Sequence, residues 1–174
     1  MPINYWFAIF SLVIMLVLLL AMLKGNTRKA QKKQNHDDPV IVARWNLLLA
    51  ESQPVLFKQT KKKNVHFGAA IFFYLASVVV MFASFYSVTR YADLGLFQFS
   101  CLSFGLFALV SLVTYRQYYT VRKQLITHVP AEHPGIPDEF VARRKMLATK
   151  TANKTYYYFL SMFFLMLAAL LLTI

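Results

Sequence analysis

Residues 67–88 read FGAAIFFYLASVVVMFASFYSV, a stretch with no Asp, Glu, Lys, Arg or His. The hydrocarbon core of a bilayer is about 30 Å thick, and a helix rising about 1.5 Å per residue crosses it in about 20 apolar residues. The stretch meets that length, and its freedom from charge matches the cost of placing charge at the bilayer centre. Working outward, residues 3–23, 95–114 and 156–174 are of similar length and have the same lack of charge. Barrel strands would be about ten residues long and would alternate in polarity. The expectation is an all-α membrane protein: one domain over 1–174 with four transmembrane helices and helical cytoplasmic extensions.

Composition excludes other classes. The chain is 58% hydrophobic and 15% charged, where a soluble domain averages about 45–50% and about 25%. Disordered chains are poor in apolar and aromatic residues. The single Cys101 excludes a disulfide framework. The first apolar stretch has no basic residue before it and no small-residue cleavage pattern after it. Its apolar core, residues 7–23, exceeds the about 7–15 residues of a signal core, so it is expected to be retained as a span.

The stretch 67–88 carries two rows at a spacing of seven: Ala69, Ala76 and Ala83, and beside them Ala70, Ser77 and Ser84. A heptad keeps residues on one side of a helix pair, and small side chains let backbones approach in lipid. The third stretch offers Cys101, Gly105 and Ala108. These faces are expected to pack spans two and three together. Cys101 and the nearby serines read as packing groups, since no base lies within a span to activate a nucleophile.

Charge sets the expected orientation. Lys24, Arg28, Lys29, Lys32, Lys33, Arg44, Lys58, Lys61, Lys62 and Lys63 lie between the first two spans. Arg116, Arg122, Lys123, Arg143, Arg144, Lys145, Lys150 and Lys154 lie between the last two, and only Arg90 lies in the turn at 89–94. The positive-inside rule puts both basic segments in the cytoplasm of a bacterial-type inner (plasma) membrane, with both termini outside. Tyr5 and Trp6, Tyr86 and Tyr91, Tyr115, Tyr118 and Tyr119, and Tyr156, Tyr157 and Tyr158 fall at span ends, where amphipathic rings prefer to sit.

Both basic segments read as helical. Asp37 and Asp38 before Pro39 form a helix start, an acidic cap followed by proline at the first helical position. Ile41, Trp45 and Leu48 follow at helical spacing, and Pro54 ends or kinks the helix. Trp45 and Arg44 allow two readings: insertion at the membrane surface, or packing on the other helices of that side. Pro130, Pro134, Gly135 and Pro137 mark a turn, and residues 138–174 contain no Gly or Pro. A single helix from about 138 into the fourth span is therefore expected, as is a breaker-free extension of the third span through Thr127. Val42-Ala43-Arg44 and Val141-Ala142-Arg143 are a faint internal echo.

Candidate chemistry is thin. His36, Asp37, Asp38, His66, His128, Glu132 and His133 are the groups available, all in or beside the basic segments. His128 and His133 in a proline-rich turn match no rigid ligand template. No phosphate-binding glycine loop, Cys-x-x-Cys or nucleophile elbow occurs. No catalytic, metal or cofactor-binding residue is expected, and nucleic acid is not an expected partner. The expected function is a subunit or scaffold of a larger membrane assembly, docking other membrane protein subunits. Contacts with partner subunits or with anionic lipid headgroups are expected at Arg44, Trp45, Lys61–Lys63 and Arg143, Arg144 and Lys145. The alternatives are a small oligomeric transporter or channel component lined by Ser, Thr and Gln98, and a membrane enzyme on lipid-linked substrates.

Overall fold

The computed structural model describes residues 3–23, 38–91, 94–130, 132–150 and 152–173. These residues are all-helical, without strands, and form α1 (Ile3–Leu23), α2 (Pro39–Ser52), α3 (Pro54–Tyr91), α4 (Leu94–Thr127), α5 (Asp138–Lys150) and α6 (Ala152–Thr173). By length and composition α1, α3, α4 and α6 can each cross a membrane, which marks the chain as an integral membrane protein. The expected single helix through the fourth span turns on residue 151, which lies outside the described residues.

Two of the spanning helices are far longer than a bilayer requires. The 38 residues of α3 and the 34 of α4 extend about 57 and 51 Å at about 1.5 Å per residue. Their apolar parts lie at the α3–α4 turn, so both project roughly 20 Å beyond the hydrocarbon core at the opposite, basic end. Residues 54–66, polar and lysine-rich, belong to α3 because nothing from Val55 to Phe67 breaks a helix.

The start of α2 follows from its cap. Asp38 Oδ1 accepts from the Val40 N–H at 2.9 Å, with Pro39 in the first turn. Pro54 disfavours helical geometry at the residue before it, and Gln53 leaves the helix at φ −146° and ψ 68°. The corner is then tied down, since Gln53 Nε2 donates to the His128 carbonyl at 2.7 Å.

In the membrane part, α3 packs along α4, α4 along α6, and α6 along α1. The row facing inward on α3 is Ala70, Ser77 and Ser84, with Tyr74 between; Ala69, Ala76 and Ala83 are exposed. The hydroxyls of Ser77 and Ser84 donate to their own helix, to the Tyr74 and Met81 carbonyls at 2.7 and 2.8 Å. Ser100 and Ser161 do the same to Leu96 and Tyr158. These serines therefore act as small spacers with their polar group already satisfied, not as bridges between helices. Cys101, Gly105 and Ala108 are buried on α4. A Cβ added at Gly105 would lie 3.6 Å from Met166 Cβ, so this residue faces α6.

Large rings fill the space that the small residues open. Tyr74 packs 4.8 Å from Phe104 and 5.4 Å from Phe159, centroid to centroid. Its hydroxyl lies 3.2 Å from that of Tyr158, joining α3 to α6. At the far end, Gln98 Nε2 donates to the Thr173 carbonyl at 2.9 Å, satisfying an acceptor that the helix end leaves open. Gln98 thus caps α6.

Replacing Ser77 with Leu is expected to overpack the α3–α4 seam and cost about 1–3 kcal/mol. Ala76→Leu, one residue away on the exposed side, should change little. Gly105→Ala should also be tolerated, since the added methyl meets Met166 at ordinary contact distance. Thermal unfolding of the three variants in detergent checks the ranking.

Candidate functional site

The basic end is built from parts of four helices spread over residues 39–150. Trp45 and Leu49 of α2, Leu125 and Ile126 of α4, Val129 and Ile136 of the turn, and Phe140 and Val141 of α5 form one buried apolar core. Trp45 meets Phe140 edge-on with centroids 5.8 Å apart. Leu56 and Phe57 of α3 pack against the same cluster. Val42 and Val141, from the two Val-Ala-Arg segments, both enter it.

The turn joining α4 to α5 is shaped by Gly135, whose φ of +74° only glycine adopts readily. A Cβ there would also meet Arg44 Nη1 at 2.6 Å. Arg44 Nη1 reaches the Gly135 carbonyl at 3.5 Å, so Arg44 braces the turn. Trp45, for which surface insertion was one reading, is 4% exposed and lies inside the core.

Beside this core is a cavity of about 220 Å³. Its lining combines apolar Trp45, Leu49 and Phe57 with the cations Lys61, Arg122 and Arg144 and the amides of Asn46 and Asn64. Among the described residues, none that lines the cavity is Asp or Glu. The cations lie over rings: Lys61 Nζ is 4.8 Å from the Phe57 centroid, and Arg122 Cζ is 5.7 Å from that of Tyr118. Arg144 Cζ is 4.8 Å from the Phe140 centroid, with Arg143 at 5.5 Å from the same ring. Such contacts hold a cationic head in place at about 0.5–1 kcal/mol each at exposed sites.

The remaining sequence candidates are scattered. Lys63 Nζ donates to Gln117 Oε1 at 2.7 Å, linking α3 to α4, while Lys62 and Lys145 are exposed. His128 Nδ1 donates to the Gln124 carbonyl at 2.8 Å. His133 Nδ1 donates to the Ile136 carbonyl at 3.2 Å, and its Nε2 lies 3.5 Å from Asp138 Oδ1. Glu132 and His66 are exposed. His36 and Asp37 lie outside the described residues, and no group of three or more His, Cys, Asp or Glu able to hold a metal occurs among the described ones. Sequence reasoning named Lys61 and Arg144 but missed Arg122, Tyr118, Asn46 and Asn64. The available signal was that Tyr118 and Arg122 stand one helical turn apart on the continuation of a span.

Comparison with protein-family models, with curated proteins and with solved structures yields no match.

Trp45→Ala is expected to cost the basic-end core about 3–5 kcal/mol, the range for emptying a buried aromatic site. Hydrogen exchange should quicken in 39–52, 120–126 and 138–147 and stay slow in 67–88. Equal quickening throughout would mean that the two cores do not unfold separately.

Proposed function

We propose that this chain is a non-catalytic subunit or scaffold of a larger membrane assembly, with its basic end in the cytoplasm of a bacterial-type inner (plasma) membrane. The observation that carries this reading is the basic-end core. Between the spans, α2 and α5 pack on the projecting tails of α3 and α4. A platform continuous with the spanning helices is stiff, so a partner gripping it is mechanically coupled to the bundle. Its surface is cationic, with Lys58, Lys62, Lys123 and Lys145 exposed. That charge favours anionic headgroups at about 1 kcal/mol per residue near the surface.

The orientation rests on the distribution of Lys and Arg, of which only Arg90 lies at the α3–α4 turn. In a Cys101→Ser background, Gln59→Cys and Lys123→Cys should be shielded from a membrane-impermeant thiol reagent in intact cells. Thr89→Cys should react. The reverse labelling pattern overturns the orientation.

Docking is tested by purification in mild detergent with identification of the chains that come along. Leu147→Pro, inside α5, removes a backbone hydrogen bond at a cost of about 3 kcal/mol or more. It should release partner chains while the spans stay inserted. Replacing His128, Glu132 and His133 together with Ala should leave partners and cellular activity near normal. Lost activity in that triple variant with unchanged partners would replace the docking reading with an acid–base or metal site.

A further inference from the structure

The cavity at the basic end has a position as well as a chemistry. Asn64 stands three residues before the apolar stretch of α3 and Lys61 six, which is about 4.5 and 9 Å along a helix. On α4, Tyr118 and Arg122 stand four and eight residues past Thr114, at about 6 and 12 Å. The polar layer on each side of a bilayer is about 5–8 Å thick, the difference between the full and hydrocarbon thicknesses. Asn64 and Tyr118 therefore stand at the depth of the headgroups, and the Lys61 and Arg122 backbones stand just beyond it, within reach of their long side chains.

We propose that this cavity is a binding site for a phosphate ester, presented by an anionic glycerophospholipid of the adjoining leaflet. Three cations from three different helices converge on it, Lys61 from α3, Arg122 from α4 and Arg144 from α5. Lys61 and Arg122, like charges beside one space, repel each other, and an anion between them reverses the sign of that energy. Guanidinium groups present paired donors that match phosphate oxygens, and an ammonium adds a point charge. Asn46 and Asn64 add neutral amide donors. Liquid water takes about 30 Å³ per molecule, so about 220 Å³ admits a glycerophosphate-sized group and leaves acyl chains outside, along α3 and α4. The apolar side chains of Trp45 and Phe57 in the lining suit the glycerol carbons. The inference is independent of the docking reading, because it concerns the isolated chain and its lipid.

The test uses the full chain in nanodiscs, with Trp6→Phe so that Trp45, which lines the cavity, is the fluorescent reporter. Discs of phosphatidylcholine are compared with discs containing phosphatidylglycerol, and glycerol phosphate is titrated in solution as the second arm. Phosphatidylglycerol should shift Trp45 emission, and detergent extraction should leave it bound, as read by native mass spectrometry. Lys61→Gln with Arg122→Gln should weaken retention tenfold or more. Lys58→Gln with Lys123→Gln removes equal charge from exposed positions, whose diffuse attraction acts on a bilayer and is lost on extraction, so the lipid retained in detergent should fall less than twofold. Asn64→Asp, nearly isosteric and at the cavity wall, should weaken retention as well without lowering the unfolding temperature. A Trp45 response to glycerol phosphate alone, lost in the cavity variants, supports the phosphate site and gives it a soluble occupant. Equal losses in the two double variants, or no response to either ligand, overturn the proposal.

Discussion

Lipid gives apolar side chains no reason to leave it, so the closeness of α4 to its neighbours is the constraint that governs the bundle. Helices in a bilayer associate through van der Waals contact, which falls away within an ångström. α4 therefore presents Cys101, Gly105 and Ala108 where neighbours press in, and receives Tyr74 and Met166 into the resulting hollows. Ser77 and Ser84 on α3, Ser100 on α4 and Ser161 on α6 obey the same requirement. An apolar residue of serine's size would serve, and the hydroxyl is harmless because it bonds back to its own helix.

Beyond the hydrocarbon the governing force changes. Water makes burial of Trp45, Leu125 and Phe140 favourable at about 25 cal/mol per Å², so the basic end is held by an ordinary hydrophobic core. The two regimes meet at a ring of aromatics. Phe67 stacks with Tyr118 at 6.1 Å and lies 5.2 Å from Tyr115 and 6.4 Å from Phe159. Rings suit this boundary because they pack in either environment. Continuous helices run through it, so the two cores are joined by backbone as well as by side chains.

Much of the membrane part was legible in the sequence because it depends on local properties. Freedom from charge over a bilayer's length located α1 and the apolar parts of α3, α4 and α6, and Asp38-Pro39 located the start of α2. The two heptad rows on α3 were legible as rows, but their spacing is identical. Only the neighbouring Tyr74, on the same side as Ala70 and Ser77, distinguishes the inward one. The basic-end core was not legible, since Trp45, Leu125 and Phe140 are each unremarkable locally and meet only through the paths of four helices. Arg122 was hidden for a related reason: among so many cationic residues, nothing local separates one that lines a cavity from those that mark topology.

The packing order has a consequence for synthesis. α1 rests on α6, and between their starts the ribosome must make about 150 residues. At about 5–20 residues per second, α1 waits in the bilayer for roughly 7–30 s with its intended neighbour still unmade. The α3–α4 hairpin, joined by a short turn, can close long before that. Ala8 and Ser11, buried in the finished fold, face lipid or a helper protein during the interval. α1 is thus the segment most exposed to exchange with α1 of a neighbouring nascent chain, and it enters the bundle last although it enters the membrane first.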